Sequence, residues 1–399
     1  MENGVSNVHE YNKSDLGRWG APTNELLERK DELIQLGLAP DSISAPLYAL
    51  WEITGACPLR CNYCYNESPQ NIKNLSREDL IKIARSLTDG GIFGVCLSGG
   101  EPLVSKHWHV VANELVSHGI PVSLITSGWT VTKTIAREVA KLVESVSVSL
   151  DGLQPTHDRI RGRENSFCKA IDAIQLFQDA GTKRLEISYA VSSANSSEID
   201  KIVDLAEELN IDRVRLHPVV GIGRAQKLKL GNEDRITNSI CQAMRKNSER
   251  KVTVVQDSID GNLRIAQALK RWVTCRIKPN GEVTPSGAIT QSAGNLTTDS
   301  LTAVWSRVST TDAVNSIDPS TKPDILNIRG HRVRIERDGS SFVQTPNGLK
   351  LLNKAMTEIM LSSQLELRTL KNHSEDSLHD ALVRLVEDDL VDKEVLATL

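Results

Sequence analysis

Between residues 45 and 250 the chain repeats one rhythm, a short apolar run followed by an amphipathic stretch of helical period. "APLYALWEIT" is followed by "LSREDLIKIARSLTDGG", "VCLSGGEP" by "WHVVANELVSHG", "PVSLITSG" by "TKTIAREVAKLV" and "SVSVSLDG" by "SFCKAIDAIQLFQDAG". "RLEISYAVS" with "SSEIDKIVDLAEELN", and "DRVRLHPVVGIG" with "EDRITNSICQAMRKNS", complete the series. Helix boundaries are written into it: Ser76 and Asp79 form a capping pattern, and Gly90, Gly119 and Gly181 supply stops. About six βα units of roughly 30 residues each result. Parallel neighbours need crossover connections, which the helices provide, so the pattern predicts an α/β fold on a parallel sheet, open or curled into a partial barrel.

The remainder is organised differently. "TNELLERKDELIQLG" (23–37) reads as a helix within an N-terminal lead-in of residues 1–44. After the array of residues 45–250 comes a segment of residues 251–325. It holds a hairpin signal at "CRIKPNGEVTPSG", turning on Asn280-Gly281, and a polar linker at 309–324. In the last segment, 326–399, "HRVRIERDG" and "SSFVQTP" read as strands around Asp338-Gly339. "NGLKLLNKAMTEIML" (347–361) reads as a helix, and Leu378, Leu382 and Leu385 share one face of another. Strands then helices suggest a small winged-helix-like α+β domain. DNA binding is disfavoured, because Ser374 to Glu394 holds eight acidic and two basic residues.

Composition narrows the function. With 399 residues, 39% apolar and 25% charged, the chain reads as a multidomain globular protein. A net charge of −4 gives no case for a nucleic-acid or anionic-membrane partner. The polar, acidic start is no signal peptide, and no apolar run approaches the roughly 20 residues that span a bilayer. Seven cysteines, three clustered and four single, do not make a disulfide scaffold. A reducing, cytoplasmic location is therefore expected.

The clustered three, Cys57, Cys61 and Cys64 in "CPLRCNYC", follow the first strand, where a parallel array places its ligand loops. Zinc would need a fourth ligand, His107 or His109. A 4Fe–4S cluster would take the three thiolates and keep one iron open.

Here the chain resembles the radical S-adenosylmethionine (SAM) enzymes. Their CxxxCx(aromatic)C hallmark appears as Cys57, Cys61, Tyr63 and Cys64, and their second-strand motif as Gly99-Gly100-Glu101. The resemblance implies that this turn and the glutamate meet the SAM amino group. It also implies that Ser149 or Asp151 in "SVSLDG" lies near the ribose, and that Arg161 pairs with the SAM carboxylate. Val220 and Gly221 in "VVGIG" fall where the sixth strand approaches the adenine, and Ser127 stands where many members carry asparagine. The implied fold is a partial (βα)6 TIM-like barrel. The implied chemistry is electron transfer from one 4Fe–4S cluster into SAM, then hydrogen-atom abstraction by a 5′-deoxyadenosyl radical. A flavodoxin- or ferredoxin-type electron donor is implied as well.

Residues 251–325 resemble a degenerate SPASM or twitch extension, with Ser286 where a cluster cysteine is usual. A single cluster is expected, and redox-neutral outcomes such as epimerisation gain weight. Cys275 and Cys96 are the candidate hydrogen-atom donors. "RIERDGSSFVQTPNGLKLLNKAMTEIM" resembles the peptide chaperone of pyrroloquinoline quinone biosynthesis, a RiPP recognition element. That likeness implies a ribosomally made precursor peptide whose leader adds to the small sheet as a strand. Two rival readings are a small-molecule epimerase, dehydratase or decarboxylase, and a non-catalytic iron–sulfur or zinc scaffold.

Overall fold

The computed structural model describes residues 43–72, 74–228, 230, 233–256, 273–285, 291–308, 323–336, 339–345 and 348–352. Positions 357, 360–361, 385–386 and 390 are described as well. The expected helix at 23–37, Ser286, Leu378, Leu382 and most of the 309–324 linker lie outside the described residues. The chain divides into two compact units, Ser44–Lys322 and a second made of Met1–Ile43 with Pro323–Leu399.

The larger unit is built on seven parallel strands lying side by side in chain order. They are β1 (Tyr48–Glu52), β2 (Gly94–Ser98), β3 (Val122–Thr126), β4 (Ser145–Ser149), β5 (Leu185–Val191), β6 (Arg213–Pro218) and β7 (Thr253–Gln256). β7 carries the parallel run one strand past the six units counted in the sequence. Between the strands lie α1 (Arg77–Asp89), α2 (Trp108–Ser117), α3 (Lys133–Leu142), α4 (Gln154–Arg161), α5 (Ser166–Asp179), α6 (Ile199–Glu208) and α7 (Glu233–Lys246). The capping signal at α1 operates, with Ser76 Oγ accepting from Asp79 N at 3.1 Å.

The hairpin belongs to the same sheet. β8 (Thr274–Ile277) pairs parallel to β1, and β9 (Glu282–Thr284) and β10 (Gly294–Asn295) continue antiparallel from it. Gly281, at φ 84°, takes the left-handed turn that the Asn-Gly pair predicts. A short helix, α8 (Leu301–Trp305), follows.

Strand alternation separates two faces of this sheet. Val95, Leu97, Leu124, Val146, Val148, Ile187, Val214 and Leu216 are fully buried against the apolar stripes of the helices. The other face is polar. On it Glu186 accepts from Ser147 Oγ at 3.1 Å and pairs with Arg215 at 2.6 Å and Arg213 at 3.4 Å. A polar interior wall suits a cavity for a charged ligand better than a packed core.

The second unit carries an antiparallel meander, β11 (Asp324–Ile328), β12 (His331–Ile335), β13 (Ser341–Thr345) and β14 (Gly348–Leu352). Its core includes Val333, Val343, Leu352, Met360, Leu385 and Leu390. Two expectations are corrected here. Gly348–Leu352 is a strand rather than the start of a helix, pairing from Thr345↔Gly348 to Ser341↔Leu352. "GLKLL" suits either period, and the β13 edge beside it decides. β11, a strand where the sequence predicts the end of the polar linker, pairs with β12 through a turn at Arg329 (φ 52°) and Gly330 (φ 84°). Two successive positive φ values make the turn that matches strand twist, and arginine at the first conceals it from sequence rules. No helix of the described residues is long and apolar enough to cross a membrane.

Candidate active site

The carboxyl ends of β1 to β6 and the segments that follow them carry the residues singled out in the sequence, apart from Cys96 within β2 and Cys275 on β8. Cys57, Cys61 and Cys64 sit on the β1–α1 loop as free thiols, Cys61 buried and the other two partly so. Neighbouring loops hold this one by its backbone. Arg60 N donates to Arg161 O at 3.3 Å, Asn62 N to Ile160 O at 3.0 Å, and Arg224 N to Cys64 O at 3.1 Å. Arg224 Nε donates to Cys61 O at 2.7 Å. Gly162 and Gly223 adopt positive φ (70° and 60°) where a Cβ would strike Arg60 O and Cys64 O.

The Gly99-Gly100 pair is explained by the same loop. Gly100 N donates to Thr54 O and Glu101 N to Ala56 O, both at 2.8 Å. A Cβ on Gly99 would collide with Thr54 O, and one on Gly100 with Ala56 O. The glycines thus permit close approach of two chain segments, so they are needed before any ligand arrives.

Glu101 is fully buried and accepts four hydrogen bonds. Its Oε1 takes Thr126 Oγ1 at 2.7 Å and Leu103 N at 3.3 Å. Its Oε2 takes Ser127 N at 2.7 Å and Ser127 Oγ at 2.5 Å. Burial pushes this carboxyl above the usual carboxylate range, while the Ser127 and Thr126 donors pull against it. Ser127 is therefore brought onto Glu101.

A second constellation forms on β4 and α4. Asp151 is fully buried; its Oδ1 accepts from Ala190 N at 2.9 Å and its Oδ2 from Tyr63 Oη at 2.8 Å. Arg161 Nε lies 2.7 Å from the same Oδ2, an ionic contact without directed hydrogen-bond geometry. The guanidinium also lies over the Tyr63 ring at 5.6 Å and donates from Nη1 to Cys61 Sγ at 3.7 Å. Burial is the largest influence on Arg161 and opposes its charge, but Asp151, Tyr63 and Cys61 together outweigh it and raise the guanidinium pKa. Burial likewise pushes the Tyr63 phenol well up. Ser149 is buried near the end of β4 and opposite Ser188. Val220 and Gly221 lie in the turn after β6, where Ile222 N donates to Val220 O at 2.8 Å.

The two candidate donors separate. Cys96 is partly buried and alternates with the core residues Val95 and Leu97, which puts it on the polar face of β2. Cys275 is 2% exposed in the hydrophobic core, and burial pushes its thiol well above the ordinary range.

Other residues of the site were not singled out in the sequence. Glu52, at the end of β1, is fully buried and accepts Tyr65 Oη at 2.6 Å. Arg276 on β8 forks onto Glu52 at 2.8 and 3.0 Å and lies 4.9 Å from the Tyr65 ring centre. A carboxylate inside the apolar run "ALWEIT" was the available signal. Asn195, whose Nδ2 bridges Asp151 O at 2.9 Å and Ala190 O at 2.8 Å, carried none. Asn66 connects Cys64 Sγ (2.8 Å) to Gly99 O (2.9 Å).

The donor set fits a multi-iron cluster. Three thiols spread along one loop suit a group that offers each a separate iron. Burial pushes Cys57 up to about 12 and Cys64 up as well, so a bound metal must displace their protons.

Comparison with known proteins agrees with this geometry. The model of the Radical SAM superfamily matches residues 51–206. Fe-coproporphyrin III synthase of Methanosarcina barkeri is 29% identical over 188 residues, which cover 46% of this chain and 46% of that protein. The chain thus spans about half the length of that relative. The antilisterial bacteriocin subtilosin biosynthesis protein AlbA of Bacillus subtilis is 26% identical over 322 residues, covering 75% of this chain and 70% of that one. Among solved structures, Streptococcus suis SuiB bound to precursor peptide SuiA superposes with a TM-score of 0.58 at 16% identity, covering 79% and 76% of the two chains. The family match runs through the cysteine loop, the glycine turn and the Asp151–Arg161 pair, so residues 51–206 are similar to the radical SAM superfamily, whose members use a 4Fe–4S cluster and S-adenosylmethionine.

Proposed function

We propose that the chain holds one 4Fe–4S cluster on Cys57, Cys61 and Cys64, binds SAM beside it, and abstracts a hydrogen atom from a ribosomally made precursor peptide. The observation that carries this reading is the gathering of the cysteine loop, Glu101 and the Tyr63–Asp151–Arg161 constellation at one edge of a parallel sheet. When bound, the cluster supplies the electron that splits SAM and produces the 5′-deoxyadenosyl radical.

The protein's own part is positioning. The Gly99-Gly100 turn presents backbone to the SAM ammonium group. Glu101, with four bonds already accepted, acts from behind it by locking Thr126 and Ser127. Arg161 has five donors and spends Nε and Nη1 within the protein, so the rest of its fork can meet the SAM carboxylate. Ser149 or Asp151 would serve the ribose, and Val220 and Gly221 the adenine. Cys96, on the polar face, is the better-placed hydrogen-atom donor if the outcome is epimerisation. A flavodoxin- or ferredoxin-type protein would be the electron-donating partner.

The substrate class is supported by the subtilosin biosynthesis relative and by the small sheet of residues 324–352. β11 is the end strand of that sheet, and its exposed Leu326 (40%) gives an added peptide strand an apolar contact. The first relative, a coproporphyrin synthase, favours the small-molecule alternative. Anaerobic reconstitution with dithionite and SAM should give 5′-deoxyadenosine and methionine, and Cys64→Ala should give none. No 5′-deoxyadenosine from the wild-type protein would sink the reading. Ending the chain before residue 323 should abolish capture of a precursor peptide and spare basal SAM cleavage. Small-molecule turnover that survives this truncation would favour the alternative.

A further inference from the structure

Arg276 lies on β8, in the segment that resembles an extension stripped of its cluster cysteines. β8 pairs with β1 so that Arg276 stands opposite Leu50, one side-chain level from Glu52 on the same face. Only a long side chain covers that step. Its Nε and Nη2 donate to the two Glu52 oxygens at 2.8 and 3.0 Å, a bidentate fork that lysine cannot reproduce. Glu52 Oε1 also accepts Tyr65 Oη at 2.6 Å, and the guanidinium lies 4.9 Å from the Tyr65 ring centre. Tyr65 is therefore clamped by its hydroxyl and by its face, and it follows Cys64 directly in the chain.

We infer that Arg276 is a positioning residue for the cluster corner held by Cys64, acting through Glu52 and Tyr65. The inference rests on the cluster reading above. It gives the β8 segment a role that needs no second cluster: it carries the guanidinium that fixes the backbone beside the third thiolate. Partners behind metal ligands commonly act this way, orienting the ligand without touching the metal.

A buried ion pair could instead serve the sheet alone, so the test compares two such forks. Arg276→Lys keeps the charge and loses both the fork and the ring contact. Arg215→Lys breaks the fork to Glu186, with its 2.6 Å contact, on strands away from the cysteine loop. Hydrogen exchange on the protein without cluster should rise across residues 60–67 in Arg276→Lys and stay at the wild-type level there in Arg215→Lys. After reconstitution, the half-life of bound iron against a chelator should fall about 10- to 100-fold in Arg276→Lys, the range for such partners. The electron paramagnetic resonance change on adding SAM should also be altered. Tyr65→Phe leaves the Glu52–Arg276 fork intact and should show smaller losses in the same readouts, which keeps the test open if Arg276→Lys does not fold. The inference is overturned if Arg276→Lys lowers the melting temperature as Arg215→Lys does while exchange at 60–67 and chelator resistance stay at wild-type values. Wild-type protein that takes up no iron overturns the cluster reading, and this separate sample tells that failure apart.

Discussion

His157 illustrates how much chemistry one buried residue can carry. It is 1% exposed and its Nδ1 accepts from Asp151 N at 3.0 Å, so it must be neutral on that nitrogen. Burial, with Arg161 nearby, lowers its pKa from 6.5 to about 4. A folded value below the unfolded one means that the unfolded chain binds more protons between those limits. Stability is then fully present above about pH 6.5 and falls as pH drops toward 4, by on the order of 3 kcal/mol. Urea unfolding between pH 4 and 7 should show this slope, and His157→Gln, which cannot titrate but can still accept from Asp151 N, should flatten it. An unchanged slope in the variant would remove His157 as its source.

Elements meet here through backbone, and glycines mark the meeting points. Gly100 lies where the β2 turn crosses the segment leading to Cys57, and an added Cβ would run into Ala56 O. Backbone cannot swing aside as a side chain can, so Gly100→Ala should cost at least about 1–3 kcal/mol and loosen the cysteine loop. Gly119 ends α2 at φ 73° with nothing near its Cβ position. Gly119→Ala should cost only the left-handed strain, about 1–2 kcal/mol, and leave iron uptake unchanged. Iron content and thermal unfolding of the two variants check the contrast. Most helices of the parallel array and most of its strands were legible from period and caps, whereas α8 was not expected. α4 was hidden inside a motif, and β14 satisfied two periods at once.

At the scale of the molecule, the described residues form two cores. The core of the smaller unit sits beside a fully buried pair, Arg334–Glu336, at 2.8 Å, with Arg334 also 5.3 Å from the Phe342 ring centre. Burial lowers the Arg334 pKa while Glu336 supports its charge. Arg334→Met would remove the cation beside the buried Glu336 carboxylate, at a cost of up to about 3–5 kcal/mol. Hydrogen exchange should show the loss in peptides from 331–345, with the parallel strands of the larger unit as internal reference. Retained protection at 331–345 would mean that this pair does not hold the smaller sheet together.

The sequence by itself determined the parallel array, the cysteine loop at the end of its first strand and the order of the motifs, because each rests on local period, spacing and residue type. Only the tertiary structure decided which of those residues meet. Glu101 met Thr126 and Ser127, Arg161 met Asp151 and Cys61, and Arg276 reached Glu52 across 224 residues of chain. Such contacts follow from strand order and register. Neither leaves a local trace, since a β8 placed beside any other strand would keep the same residues and the same turn.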